Sequence, residues 1–101
     1  MNPNRVRRDK LLTFTDLPNI GPAAAKDFHL LGYKKPQDLI GCDGVAMYEE
    51  LCDLTNTRHD PCVLDTMLSV AAFMNGGEPK PWWAFTETRK KTYRGKYYTK
   101  A

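Results

Sequence analysis

The chain has 101 residues, 42% of them apolar and 27% charged, and a formal net charge of +3. That bounds it to one small globular domain with tails. Its longest uncharged run, Thr66 to Gly77, falls well short of the ~20 apolar residues a membrane span needs. No membrane partner is therefore expected. The N-terminus carries charges with no apolar stretch behind them, so no secretory signal is expected either. Three cysteines without an export signal read as reduced thiols in a cytoplasm. The charge is unevenly spread: residues 1–10 carry +3, residues 11–85 carry −5, and residues 86–101 carry +5. An acidic body with two basic arms meets a polyanion or simply stays soluble.

No segment alternates apolar and polar residues over a strand's length, and no repeat of 20–50 residues stands out. A short helix is expected around Asp9 to Phe14. Pro22 starts the next, because proline at the first position loses no needed N–H. Ala23 to Leu31 favour helix and Gly32 closes it. A short turn of helix follows at Pro36 to Ile40, ended by Gly41. Asp43 caps a helix over roughly 44–55, whose apolar stripe is Met47, Tyr48, Leu51, Cys52 and Thr55. Asp60 caps and Pro61 starts a helix continuing to Asn75, with Val63, Leu64, Met67, Leu68, Ala71 and Met74 as its stripe. The segment Pro79-Lys80-Pro81-Trp82-Trp83 cannot begin as helix. It is expected to run extended over the bundle and tuck an indole into the core. Beyond Thr86 no apolar period remains, so residues 87–101 read as a mobile tail. The expectation is an all-α, compact bundle of four to five short helices: arm 1–10, domain 11–86, tail 87–101.

The richest stretch for function is Leu17-Pro18-Asn19-Ile20-Gly21-Pro22-Ala23-Ala24-Ala25-Lys26, a tight turn feeding a helix start. Ile20 plugs the turn into the core. Gly21 allows a conformation or close approach that a side chain forbids. The first turn of a helix leaves N–H groups unpaired at the positive end of the macrodipole. Gly21, Ala23 and Ala24 would offer those donors to a phosphate oxygen, and Lys26 would add charge one turn further on.

This stretch resembles a helix-hairpin-helix motif, with Asn19 standing for the first glycine; asparagine tolerates the left-handed conformation well. The wider pattern continues through Leu31-Gly32, Asp38-Leu39, Tyr48-Glu49-Glu50-Leu51-Cys52, Arg58-His59-Asp60-Pro61-Cys62-Val63-Leu64-Asp65 and Pro81-Trp82-Trp83. Over roughly residues 11–86 it resembles the small bacterial "pathogenicity locus" family. That resemblance implies a helix-hairpin-helix fold in a SAM-like arrangement, similar to the C-terminal domain of competence regulators. Members labelled mitomycin-resistance proteins imply a DNA-linked role. The bland reading of the hairpin is a connector between helices, and the acidic body favours it.

Cys52, His59 and Cys62 are spaced Cys-x6-His-x2-Cys, with Cys42 upstream. This is not a standard zinc spacing, and Cys52 falls on an apolar stripe. Cys62, in a first helical turn near Arg58 and His59, is a candidate for a lowered thiol pKa. The plainer reading is a polar loop fixed by Arg58 against Asp60 or Asp65. In the tail, Arg89, Lys90, Lys91, Arg94 and Lys96 interleave with Tyr93, Tyr97 and Tyr98, a composition suited to single-stranded nucleic acid. Trp82 and Trp83 are candidates for a stacking platform or for core packing.

The sequence thus predicts non-sequence-specific nucleic-acid (DNA) binding through Asn19, Gly21, Ala23, Ala24 and Lys26, aided by the tail cations, in DNA repair or stress resistance. No catalytic residue, metal, cofactor or small-molecule substrate is expected. The alternatives are a protein-interaction or adaptor module with a structural hairpin, and cysteine-based redox or metal chemistry.

Overall fold

Proline and aspartate set the helix starts. In the computed structural model, which describes residues 6–98, α1 spans Pro22–Leu30, α2 Gly44–Thr55, α3 Pro61–Met74 and α4 Thr86–Thr92. Asp43 accepts from the N–H groups of Val45 and Ala46, and Asp60 from that of Cys62. Each satisfies donors that a helix start leaves open. α1 ends at Leu31 and Gly32, where φ is +95° and a side chain would be strained. Among the described residues there is no strand, and no helix is long and apolar enough to cross a membrane. The architecture is all-α.

Among the described residues four short 3-10 turns join them: Arg8–Lys10, Phe14–Asp16, Pro36–Leu39 and Trp82–Phe85. The single helix expected around Asp9–Phe14 is corrected to the first two. The break between them lets Leu12 and Thr13 donate their N–H groups to the Asp16 carboxylate, both at 2.9 Å, instead of along a helix. The third turn repeats the device: Lys34 and Lys35 donate to Asp38 at 2.9 and 3.1 Å. Each aspartate is followed by a fully buried leucine, Leu17 or Leu39. Two turns of one construction thus anchor the approach to α1 and to α2, a local repetition that sequence identity hides.

These hydrogen bonds hold the Asp16 and Asp38 carboxyls below their ordinary value of 3.8, with the backbone donors as the leading cause. A depressed folded-state pKa adds stability that is fully present above the unfolded value and is lost as pH falls through the folded one. Stability is therefore expected to fall below about pH 4, and Asp16→Asn with Asp38→Asn should flatten that loss in urea titrations. An unchanged acid limb would remove these two carboxylates as its cause.

α3 is the centre of the molecule. It packs against α2, α4 and the turns Pro36–Leu39 and Trp82–Phe85. Of its predicted stripe, Leu64, Met67, Ala71 and Met74 are buried and Val63 and Leu68 half-buried, while Asp65, Ser69, Val70 and Phe73 are buried too. A helix covered on most sides buries more than one face. Of its predicted stripe α2 buries Met47, Tyr48, Leu51 and Cys52 and leaves Thr55 half-buried. Ile20 and Phe28 enter the same core. Burying a side chain of this size contributes about 1.5–3 kcal/mol.

A tail leaving the fold at residue 87 is corrected too. Residues 86–92 are helical, and Tyr93 is buried against Tyr48 with ring centroids 6.2 Å apart. Tyr97 packs edge-on to the same ring. The absence of apolar periodicity concealed this, because single aromatic and charged anchors dock the segment. The ends of the basic arms, residues 1–5 and 99–101, lie outside the described residues.

Candidate nucleic-acid interface

The Leu17–Gly21 turn has its geometry set by Asn19. This residue has φ +66°, and its side-chain amide donates to Ser69 Oγ at 3.0 Å and to the Lys80 carbonyl at 2.7 Å. The left-handed conformation is stabilised by ties to α3 and to the segment before Trp82. Ile20 is fully buried, as a plug must be. Asn19 is therefore a residue that shapes the turn, and its amide is occupied within the protein.

Gly21 departs from expectation. Its φ is −94° and ψ −176°, an extended conformation open to any residue, and an added Cβ would meet nothing within 4 Å. Nothing inside the protein requires a glycine here. The space in front of it is open, and α1 lacks the side-chain cap that α2 and α3 have. The first backbone bond of α1 runs from the Ala25 N–H to the Gly21 carbonyl at 3.0 Å. The donors of Gly21, Ala23 and Ala24 stand before it. Lys26 is exposed on the same helix. The structure thus gathers Gly21, Ala23, Ala24 and Lys26 on the first turns of one helix.

The basic arms are partly consumed by the fold. Arg89 Nε lies 2.8 Å from Asp65 Oδ1, and its Nη2 lies 3.3 Å from Oδ2. Asp65 is 0% exposed and also accepts from Thr86 Oγ1 at 2.8 Å. Arg89 is removed from the candidate interface, since an arginine that neutralises a buried carboxylate cannot leave it. The expected pairing of Asp65 with Arg58 does not form. Lys96 Nζ lies 2.9 Å from Asp53, and its backbone N–H donates to Glu49. Tyr93 and Tyr97 donate their hydroxyls to Glu49 and Asp53. Desolvation and the Glu49 bond push the Tyr93 phenol up to about 12. Arg94 bonds the Lys90 and Tyr93 carbonyls and stacks on Tyr98, 4.5 Å from the ring centroid. Lys90 and Lys91 remain exposed on α4. At the other end, Arg8 donates to the Phe73 carbonyl at 2.6 Å and to that of Gly77, with its guanidinium over the Phe73 ring. It closes the C-terminus of α3, where a cation complements the dipole. The actual partners of Arg8 and Asp65 leave no signal in the sequence, because they lie more than twenty residues away.

The cysteines do not converge. Cys52 is buried and its sulfur accepts from the His59 N–H at 3.4 Å; Cys62 is exposed and Cys42 half-buried. His59 bonds Thr55 through its ring at 2.8 Å, and its carbonyl accepts from Tyr48. Among the described residues no three His, Cys, Asp or Glu side chains are placed to hold a metal. Burial, then Asp60, pushes the Cys62 thiol up, which corrects the expectation of a lowered thiol pKa. The two indoles stand at 84° to each other, with Trp83 62% exposed and Trp82 half-buried, so they do not form one flat platform.

An all-helical domain wrapped around one central helix, with an uncapped helix start and two exposed lysines on its last helix, is the class that this architecture defines. The chain belongs to the pathogenicity locus family, whose model matches residues 7–91. It is similar to the mitomycin resistance protein McrB of Streptomyces lavendulae, with 33% identity over 87 residues covering 86% of this chain and 83% of that protein. No solved structure matches the chain.

Proposed function

We propose that this protein binds nucleic acid without sequence preference, through a helix-hairpin-helix-like turn at Asn19–Ala24 and the exposed cations Lys26, Lys90 and Lys91. The carrying observation is the start of α1. It has no side-chain cap, and the position before it has open space where a Cβ would stand. A phosphate oxygen fits such a helix start without any base being read. The relative named for mitomycin resistance supports a DNA-linked role in stress resistance. The reading that competes is an adaptor with a structural hairpin. Its specific support is the Asn19 amide, whose bonds to Ser69 and Lys80 account for the turn without a ligand.

Binding of fluorescent single-stranded and duplex DNA, measured against salt, separates the two. Gly21→Val should weaken binding by about tenfold or more with Tm unchanged, because the new side chain enters only solvent-side space. Lys90→Ala with Lys91→Ala should lower the salt slope by about 0.7–0.9 for each phosphate that is no longer neutralised. Wild-type affinity in Gly21→Val would remove the hairpin from the interface. No binding by the full chain would leave the adaptor reading.

A further inference from the structure

Two polar side chains of α3, one turn apart, each hold a different stretch of the chain. Ser69 accepts from the Asn19 amide, which also donates to the Lys80 carbonyl at 2.7 Å. Asp65 accepts from Thr86 and Arg89. Residues four apart on a helix share a face. The hairpin turn and the segment 80–86 therefore lie side by side on one face of α3. Trp83 stands midway along that segment, three residues from each tie, and three residues span at most about 11 Å. The segment is stiff. Pro79 and Pro81 fix their own φ, and Trp82–Phe85 is a 3-10 turn packed against α3. The Trp82 ring stands against that of Trp83, with centroids 5.6 Å apart. Yet Trp83 is 62% exposed, more than any other Phe, Tyr or Trp among the described residues. An indole left in water but held in place can be covered by a second ring with little ordering entropy left to lose. Lys80 adds an exposed cation beside the same turn.

We propose that Trp83 stacks on an unpaired base of a single-stranded nucleic acid whose backbone lies on the start of α1, with Lys80 as a further phosphate cation. The stacking contact rests on the nucleic-acid reading above and narrows its partner to strands with unpaired bases. A base inside a duplex is already stacked on both sides, whereas a base in a single strand has a face to offer. Every base has such a face, so the contact carries no sequence preference. The indole is neutral, so it adds affinity without releasing counterions.

The test titrates a labelled oligothymidylate strand, and a duplex of the same length, into the full chain at several salt concentrations. Trp83→Ala should weaken single-strand binding by about 5- to 150-fold and leave both its salt slope and duplex binding unchanged. Trp83→Phe, which keeps a ring, should recover most of that loss. Trp82→Phe leaves Trp83 as the only indole of the chain, and its fluorescence should be quenched by unlabelled oligothymidylate and not by the duplex. Lys80→Ala keeps the carbonyl that Asn19 needs and should lower the single-strand salt slope by about 0.7. Wild-type affinity of Trp83→Ala for the single strand, an equal loss on the duplex, or unquenched Trp83 fluorescence would each overturn the stacking contact and leave the α1 contact standing. Binding of neither nucleic acid by the wild type would remove both.

Discussion

Replacing Arg89 with alanine is expected to destabilise the protein by about 3–5 kcal/mol, because it strands a buried charge. Asp65 is fully buried, and without the guanidinium only the Thr86 hydroxyl would remain on it. For a domain of this size the loss corresponds to a fall in Tm of more than about 10 °C. Truncation after Thr86 should do the same, since it removes both Arg89 and the Tyr93 ring that covers Tyr48. The double replacement Asp65→Leu with Arg89→Leu should recover much of the stability, because two well-packed apolar groups can replace an ion pair. Urea unfolding of both singles and the double gives the coupling directly. A cost below about 1 kcal/mol for Arg89→Ala would mean that Asp65 is rehydrated and the pair is ornamental. The result also matters for function. A nucleic-acid test made on a chain cut at Thr86 would confuse a missing binding surface with an unfolded domain.

The second large effect concerns two glycines. Gly44 is the first residue of α2, and a Cβ there would lie 3.0 Å from the backbone of Leu68 and Met67. The neighbour is helix backbone, which cannot rotate aside. Gly44→Ala should therefore push α2 and α3 apart and cost about 1–3 kcal/mol, although alanine is the better helix former. Gly21→Ala should be neutral or slightly stabilising, because its conformation suits any residue and the space is open. Thermal melts of the pair decide it. If Gly44→Ala matched wild type, the close approach of α2 to α3 would not constrain the bundle.

These glycines show where sequence reading succeeds and where it stops. The starts of α2 and α3 were legible because Asp43 and Asp60 cap donors only two or three residues away. Pro22, Pro61 and the left-handed Asn19 were legible for the same reason, since backbone conformation is set within a few residues. The turn and its uncapped helix were equally visible. The motif points to Gly21 as the required glycine, while close backbone approach requires one at Gly77, against the Ala72 carbonyl, and at Gly44, facing a helix more than twenty positions on.

The all-α class, the starts of α1, α2 and α3 and the candidate hairpin were determined by the sequence alone. Hydrogen bonds, proline geometry and the helical period are local, and the residues that make them are neighbours along the chain. The tertiary structure decided which charges stay available. Arg8 closes α3, Arg89 neutralises Asp65, and Lys96 meets Asp53, so three cations of the basic arms serve the fold. It also decided that Tyr93, Lys96 and Tyr97 lie against α2. A pairing between residues tens of positions apart leaves no periodic trace. Composition counts a charge, but only the packed chain shows what that charge meets.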